Sequence, residues 1–247
     1  MSKKGMLSVS NFIFRRTEQK YLLDEAQTAA FRTAMAEFME PEQFATSDIR
    51  NIYYDTPDFR LIRRSLEKPA YKEKLRLRAY GDVTEDKKVF LEMKKKYDGI
   101  VYKRRIALPE ELATAYMADP KMRMIDTQIG HEIDYFKDFY KTLYPAMFLS
   151  YDRSSWRSHD GDLRITMDWN IQYRLDQVDL KVPPSGHQLL EPGQTLVEIK
   201  APGTMPLWLA RHLSENKIRQ ISFSKYGTAY RRVLQEQLQE CRGCHHA

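Results

Sequence analysis

Charged and apolar residues alternate along several short segments of this chain. That period of two is expected of β-strands with one wet face and one packed face. In Tyr71–Arg78, Lys72, Lys74, Arg76 and Arg78 share one face, while Leu75 and Leu77 take the other. Leu91–Lys96 groups Glu92, Lys94 and Lys96, and Val101–Arg105 groups Lys103 with Arg105. Arg164, Thr166 and Asp168 fall together, as do Glu198 with Lys200, and Arg16, Glu18 and Lys20 near the N-terminus. One such strand says only that it is half-buried. Repeated with many cations and few carboxylates, the pattern predicts a sheet curled around a polar, anion-filled interior.

The remaining elements follow from periodicity and punctuation. Phe12 to Leu23 reads as a strand, and Asp24 suits the N-cap of a helix running to about Met39, ended by Pro41. Ile49–Asp55 is a strand, followed by a turn at Thr56-Pro57 and a short helix from Asp58 to about Glu67. Strands are predicted at Tyr71–Tyr80, Lys88–Lys96 and Val101–Leu108, the last two joined at Asp98-Gly99, a hairpin signal. Pro109-Glu110-Glu111 opens a helix, and a second spans Gln128 to Leu143. Strands resume at Ala146–Trp156, Leu163–Ile171 and Thr195–Lys200, with Leu180–Gly193 as a loop. Helices at Pro206–Asn216 and Lys225–Glu240 complete the chain. A meander of strands interrupted by helices is α+β. A closed antiparallel β-barrel tunnel with a cation-lined lumen, helices outside and at its ends, satisfies both faces and removes the sheet edges. Residues 13–238 then form a single domain between a flexible lead, 1–12, and a flexible tail, 239–247.

Composition changes this picture little. The chain has 247 residues, 42% hydrophobic and 30% charged, and a net charge of +6 that permits an anionic partner without choosing one. No run approaches the roughly 18 apolar residues of a membrane span, and no secretory signal is evident, so a cytoplasmic location is expected. The two cysteines lie in Cys241-Arg242-Gly243-Cys244-His245-His246, a spacing seen in haem attachment and zinc sites. Haem attachment needs export and a surrounding pocket, and a structural zinc needs a fourth ligand, so this segment is read as a tail able to bind metal only adventitiously.

A face lined by arginine and lysine is built for polyanions, since guanidinium forks grip phosphate oxygens and ammonium groups add mobile charge. Inorganic phosphate chains or nucleoside triphosphates suit a narrow lumen better than duplex nucleic acid, so no specific nucleic-acid partner is expected. Glu18, Glu92, Asp168 and Glu198 each share the cationic face of their strand. Carboxylates so placed either neutralise neighbouring cations or seat Mg²⁺ or Mn²⁺. Ser222, Ser224 and Lys225 read as a helix cap that doubles as an anion seat, and Tyr53 as core or, less readily, a base-stacking ring. Phosphoryl transfer needs positioning and charge neutralisation more than covalent help, so the lack of a Walker-type loop or kinase motif is no objection.

Taken in order, Arg16-Thr17-Glu18-Gln19-Lys20-Tyr21, Asn51-Ile52-Tyr53-Tyr54-Asp55-Thr56, Lys74-Leu75-Arg76-Leu77-Arg78 and Phe90-Leu91-Glu92-Met93-Lys94 carry a resemblance. Tyr102-Lys103-Arg104-Arg105, Ser150-Tyr151-Asp152-Arg153, Arg164-Ile165-Thr166-Met167-Asp168, Val197-Glu198-Ile199-Lys200 and Ser222-Phe223-Ser224-Lys225-Tyr226 extend it. The set resembles the polyphosphate polymerase domain of the vacuolar transporter chaperone (VTC) family, within the triphosphate tunnel metalloenzymes. The resemblance implies transfer of the γ-phosphate of ATP to a growing polyphosphate chain, with Mn²⁺ or Mg²⁺ as cofactor. It implies a catalytic set of Lys20, Arg76, Arg78, Lys94, Arg153 and Glu198. Arg16, Lys74, Lys103, Arg105, Arg164, Lys200, Ser224 and Lys225 would add phosphate contacts, and Glu198 would be the first metal ligand, with Glu18, Glu92 or Asp168 assisting. Hydrolase and cyclase branches carry Glu-x-Glu-x-Lys on the first strand, where this chain has Arg16 in the first position. That exchange points from hydrolysis toward transfer or storage. A triphosphatase and a polyphosphate-binding module without catalysis are the alternatives.

Overall fold

In the computed structural model the described residues are 16–84, 87–98, 100–123 and 127–243, with Arg16 and residues 240–243 described by backbone alone. The elements run β1 (Arg16–Leu23), α1 (Glu25–Met35), β2 (Met39–Asp55), α2 (Arg60–Leu66), β3 (Tyr71–Tyr80), β4 (Lys88–Tyr97) and β5 (Ile100–Pro109). They continue with α3 (Glu110–Ala118), α4 (Gln128–Tyr140), β6 (Tyr144–Ser158), β7 (Arg164–Arg174), β8 (His187–Gln188), β9 (Thr195–Pro202), α5 (Leu207–Glu215), β10 (Gln220–Ile221) and α6 (Lys225–Gly243). The succession of strands and helices is the α+β one read from the sequence, but the pairing is not the expected meander, because β1 pairs with β9 and β2 with β6. Phe12–Arg15 of the predicted first strand, Gly99 of the predicted hairpin turn and Cys244–His246 lie outside the described residues.

Two boundaries differ in an instructive way. Asp24 caps α1 as expected, accepting Gln27 N–H at 2.8 Å while the Gln27 side chain accepts Asp24 N–H at 3.1 Å. The helix nevertheless ends at Met35, and Pro41 lies inside β2 rather than stopping a helix. Pairing of β2 with β6 is irregular between Pro41 and Thr46, and proline is tolerated in a strand at such a break. At the other end α6 continues to Gly243, through part of the stretch read as a tail.

The sheet does not close. Its ten strands follow the order β10-β1-β9-β7-β6-β2-β3-β4-β5, with β8 attached to β7, so β10 and β5 are edges among the described residues. The closed barrel expected from the sequence is therefore corrected to an open, strongly curled sheet. The physical reason lies at the edges. β10 offers only two paired residues, Gln220 and Ile221 against Tyr21 and Lys20, before the chain turns into α6. A two-residue strand cannot carry a ladder to β5. Curling still brings distant strands together. Lys74 on β3 reaches Ser224, just after β10, at 3.1 Å, although six pairing steps separate those strands.

Apolar packing fixes the curl from both sides. Outside, α3 and α4 bury Tyr116, Ile133 and Phe136 against Leu75, Leu77, Leu91 and Met93. α1 and α5 set Phe31, Met35, Leu209 and Leu213 against Ile165, Met167, Val197 and Ile199. Inside, α6 lays Tyr226, Ala229, Tyr230 and Val233 on Tyr53, Met147, Leu149 and Tyr151 of the concave face. Asp55 ties this arrangement together. Its buried carboxylate accepts the N–H groups of Leu61 at 2.8 Å and Ile62 at 3.0 Å, and the Tyr226 hydroxyl at 2.8 Å. The N-cap position of α2, Phe59, supplies no side-chain acceptor, so Asp55 does that work from the end of β2.

Asp55→Ala is expected to lower the unfolding free energy by about 3 kcal/mol, because it strands buried N–H donors. Tyr226→Phe, which removes one hydroxyl and keeps the ring, should cost about 1 kcal/mol. Urea denaturation of both variants checks this; equal losses would show that the Asp55 cap carries no weight of its own.

Candidate functional site

The polar residues of the concave face gather into three ion-pair centres. The first is on β4. Glu92, with a side chain only 2% exposed, is contacted by Arg76 at 2.7 Å, Lys103 at 2.9 Å and Arg78 at 3.8 Å. Register explains much of the grouping, since Arg76 on β3 stands opposite Glu92, and Lys103 lies on β5 two residues from Glu92's partner Arg105. Burial opposes the charge on Glu92, but Arg76, Arg78 and Lys103 outweigh it and hold the carboxyl at about 2. The second centre is on β7, where Arg153 clamps Asp168 with two bonds of 2.6 and 2.7 Å. Lys225 at the start of α6 closes on the same carboxylate.

The third centre joins β1 and β9. Lys20 lies 3.3 Å from Glu18 and 3.6 Å from Glu198, and Lys200 contacts Glu198 from the same strand. Burial disfavours the Glu198 charge, yet Lys200 and Lys20, with Lys225, hold its carboxyl far below the usual range. Lys20 also donates to the Phe223 carbonyl at 3.1 Å, which fixes the segment leading into α6. That segment is the hub of the concavity. Ser224 meets Lys74, Lys225 meets Asp168, and Tyr226 stacks on Tyr53 with ring centres 4.4 Å apart.

Two lysines stand apart from these centres. Lys74 and Lys94 pair with no carboxylate among the described residues, and they oppose each other in the β3–β4 register. Burial first, then Lys94, Lys72 and Lys20, push the Lys74 ammonium down to about 8 against the pull of Tyr53. Lys94 is lowered as well, chiefly by desolvation, with Glu18 and Glu198 pulling the other way. Neither ammonium group has a carboxylate within ion-pair distance among the described residues, although Glu18 and Glu198 act on Lys94 from further off.

The structure thus brings Lys20, Lys74, Arg76, Arg78, Glu92, Lys94, Lys103, Arg153, Asp168, Glu198, Lys200, Ser224 and Lys225 around one concavity, with Glu18 at its edge. It does not bring all of the expected residues there. Arg164 turns to Glu42 at 2.7 Å, and exposed Arg105 lies over the Phe90 ring at 5.0 Å. The Arg16 side chain lies outside the described residues. Three participants are not among the expected site residues; Tyr53 reads as core, which it also is. Tyr53 accepts from Arg76 at 3.2 Å, Tyr151 from Arg78 at 3.1 Å, and Asn51 from Arg78 at 2.9 Å. Burial raises both phenols, but Arg76, Lys74 and Arg78 bring Tyr53 to about 8, and Arg78, Arg153 and Lys225 bring Tyr151 below its usual value. The signal was the alternation Asn51, Tyr53, Asp55, which repeats on β2 the polar face read on β3.

A divalent cation has a restricted place in this set. Among the described residues no three carboxylate, histidine or cysteine side chains converge on one point. Glu92 and Asp168 are committed to separate cation nests. Of the four candidate carboxylates, Glu18 and Glu198 share Lys20, and two carboxylates fit a hard ion that takes its other ligands from phosphate oxygens.

The Glu92 carboxyl titrates at about 2 in the folded chain against an ordinary 4.5, so its stabilisation is complete above pH 4.5 and is lost as pH falls through 2. Glu92→Gln should therefore cost about 3 kcal/mol at neutral pH by leaving buried guanidinium groups unpaired. That deficit should shrink between pH 4.5 and 2. Denaturation at several pH values checks this; a deficit constant with pH would remove Glu92 as the counter-charge.

Comparison with known proteins agrees with this geometry. The VTC domain matches residues 15–234. A candidate adenylate cyclase from Bacillus halodurans shares the fold with a TM-score of 0.52 and 15% identity, over 84% of this chain and 92% of that one. A candidate adenylyl cyclase from Hippeastrum, described as having a dominant triphosphatase activity, aligns with a TM-score of 0.48 and 16% identity, over 85% of this chain and 92% of that one. Among curated proteins none matches. With the family pattern spanning the strands and the α6 start that build the concavity, the chain belongs to the VTC domain family.

Proposed function

We propose that this protein is a phosphotransferase that moves the γ-phosphate of ATP onto a growing polyphosphate chain held along the concave face. The coarser part of this reading, an enzyme acting on phosphate compounds, rests on family and fold. The finer part rests chiefly on Lys74 and Lys94, opposed cations with no carboxylate in ion-pair distance among the described residues. Like charges at this spacing repel in a partly dry site, and a polyanion removes that cost.

The residues divide the work. Arg76 and Arg78, held by Glu92, Asn51 and Tyr53, present fixed guanidinium planes on β3 for bridging and terminal oxygens. Arg153, clamped by Asp168, does the same from β6. Lys20, Lys74, Lys94 and Lys200 are jointed point charges able to follow a chain that advances by one phosphate per turnover. Mn²⁺ or Mg²⁺ bound by Glu198 and Glu18 together with phosphate oxygens would neutralise charge developing on the transferred group. Positioning and charge neutralisation of this kind are what phosphoryl transfer demands.

One observation favours a second reading. The sheet edges are not joined by backbone pairing among the described residues, so the concave face is not sealed by a barrel wall, and water as acceptor would make the protein a triphosphatase.

A Mn²⁺-dependent time course with ATP, following ADP, free phosphate and polymer together, separates these readings. Polymer phosphate matching ADP is the expected result, whereas free phosphate alone would select hydrolysis. Glu198→Gln is expected to remove metal-dependent turnover. Arg76→Ala should weaken ATP binding about tenfold or more while the fold persists, since a charge-assisted phosphate contact contributes roughly 1.5–3 kcal/mol. Unfolding of Arg76→Ala would show that this arginine supports the core instead.

A further inference from the structure

On the outer face of the sheet, residues of α2, β3, β4 and α4 line a cavity of about 340 Å³, within the range of small-molecule sites. It lies on the other side of β3 from Lys74, because alternation turns Glu73 outward with Leu75 and Leu77, which pack against α4. The floor of this cavity is charged. Glu73 is 9% exposed, and its two carboxylate oxygens accept the hydroxyls of Tyr71 and Tyr140, each at 2.7 Å. Burial, and then the Glu73 carboxylate, raise both phenols above their ordinary value, so each stays a donor. No cation answers this carboxylate. Lys95 stands opposite Glu73 in the β3–β4 register but turns to Glu132 at 3.5 Å, and no other basic group lies within ion-pair distance of Glu73 among the described residues. Each oxygen of an ionised carboxylate keeps a lone pair for one more donor.

The walls are aromatic. Tyr135 and Phe139, one turn apart on α4, are 68% and 49% exposed, with ring centres 6.4 Å apart and planes inclined by 25°. Arg60 lies over the Phe139 and Tyr140 rings at 5.7 and 5.6 Å and steadies them. At the rim stands Arg64, an exposed guanidinium with no carboxylate in ion-pair distance among the described residues. A simple organic cation would be repelled by Arg64 and Lys95, and a simple anion by Glu73. The cavity calls for a ligand with a hydrogen-bond donor at one end, an anion at the other and a flat body between them. We infer that it is a nucleotide site, separate from the concave face, for a nucleotide whose base carries an exocyclic amine. The amine donates to Glu73, the base lies against Tyr135 and Phe139, and the phosphate meets Arg64 and Lys95.

Calorimetric titration of the full chain with AMP, purine riboside monophosphate and adenosine tests this. AMP is expected to bind about tenfold or more tightly than purine riboside monophosphate, which lacks only the amine. Tyr135→Ala and Arg64→Ala replace exposed side chains, so both variants should fold, and each should weaken AMP binding about tenfold. Arg64→Ala should leave adenosine, which has no phosphate, unchanged. The cations of the concave face also attract AMP, and the variants separate the two places. AMP binding that neither variant alters belongs to the concave face and would overturn the inference. Equal affinity for AMP and purine riboside monophosphate, or no detectable binding of AMP, would overturn it as well. Turnover of ATP enters none of these readouts, so failure of the phosphotransferase reading and failure of this inference are told apart.

Discussion

Holding like charges close together in a partly dry concavity is the constraint on which this structure turns. Cations from β1, β3, β4, β5, β6, β9 and α6 face one another, and each local excess needs an answer. Glu92, Asp168 and Glu198 supply three, each within reach of at least two cations. Tyr53 and Tyr151 supply weaker ones, as phenols drawn toward ionisation by adjacent arginines. Among the described residues Lys74 and Lys94, like Lys72 and Lys96 one step further along the same strands, oppose each other without an ion-pair partner. A protein that needed only stability would replace these ammonium groups with neutral side chains. Their persistence opposite each other is the physical basis for assigning a phosphate chain to the space between them.

The same constraint explains why the start of α6 matters more than its length suggests. Phe223 to Tyr226 is held by Lys20 from β1, Tyr53 from β2, Lys74 from β3 and Asp168 from β7. Among the described residues backbone pairing does not join the edges of the sheet, so these side-chain contacts draw its two ends together. Asp55 secures the arrangement from beneath, by fixing Tyr226 and the first turn of α2 with one carboxylate. Core and site therefore share a boundary at the Tyr53–Tyr226 stack, where apolar packing on one side meets charge on the other.

Much of this was legible in the sequence because period two survives wherever one face is packed. Lys74, Arg76 and Arg78 read as one face, and the structure places them on one face. Closure was not legible, since it is decided by the two-residue length of β10, which no alternation encodes. β7 shows a second limit. Its period begins with Arg164, Thr166 and Asp168, but pairing with β6 shifts between Ser150 and Asp152, and Asn170 takes a φ of 50°. Beyond that bulge Ile171 and Tyr173 pack toward α6, where strict alternation would have put Asn170 and Gln172. Tyr53 and Tyr151 were obscured for a different reason. An aromatic ring on a strand usually means core, and both rings do pack, while their hydroxyls serve the charged side.

The central claim is that the concave face is a receptor for a linear chain of phosphates. Calorimetric titration with phosphate, pyrophosphate, tripolyphosphate and longer polyphosphate at fixed ionic strength addresses it most directly. Affinity should rise with each added phosphate until the cations between β4 and β9 are spanned, then level off per chain. Equal, weak affinity for all of these anions, no better than for sulfate, would contradict the account.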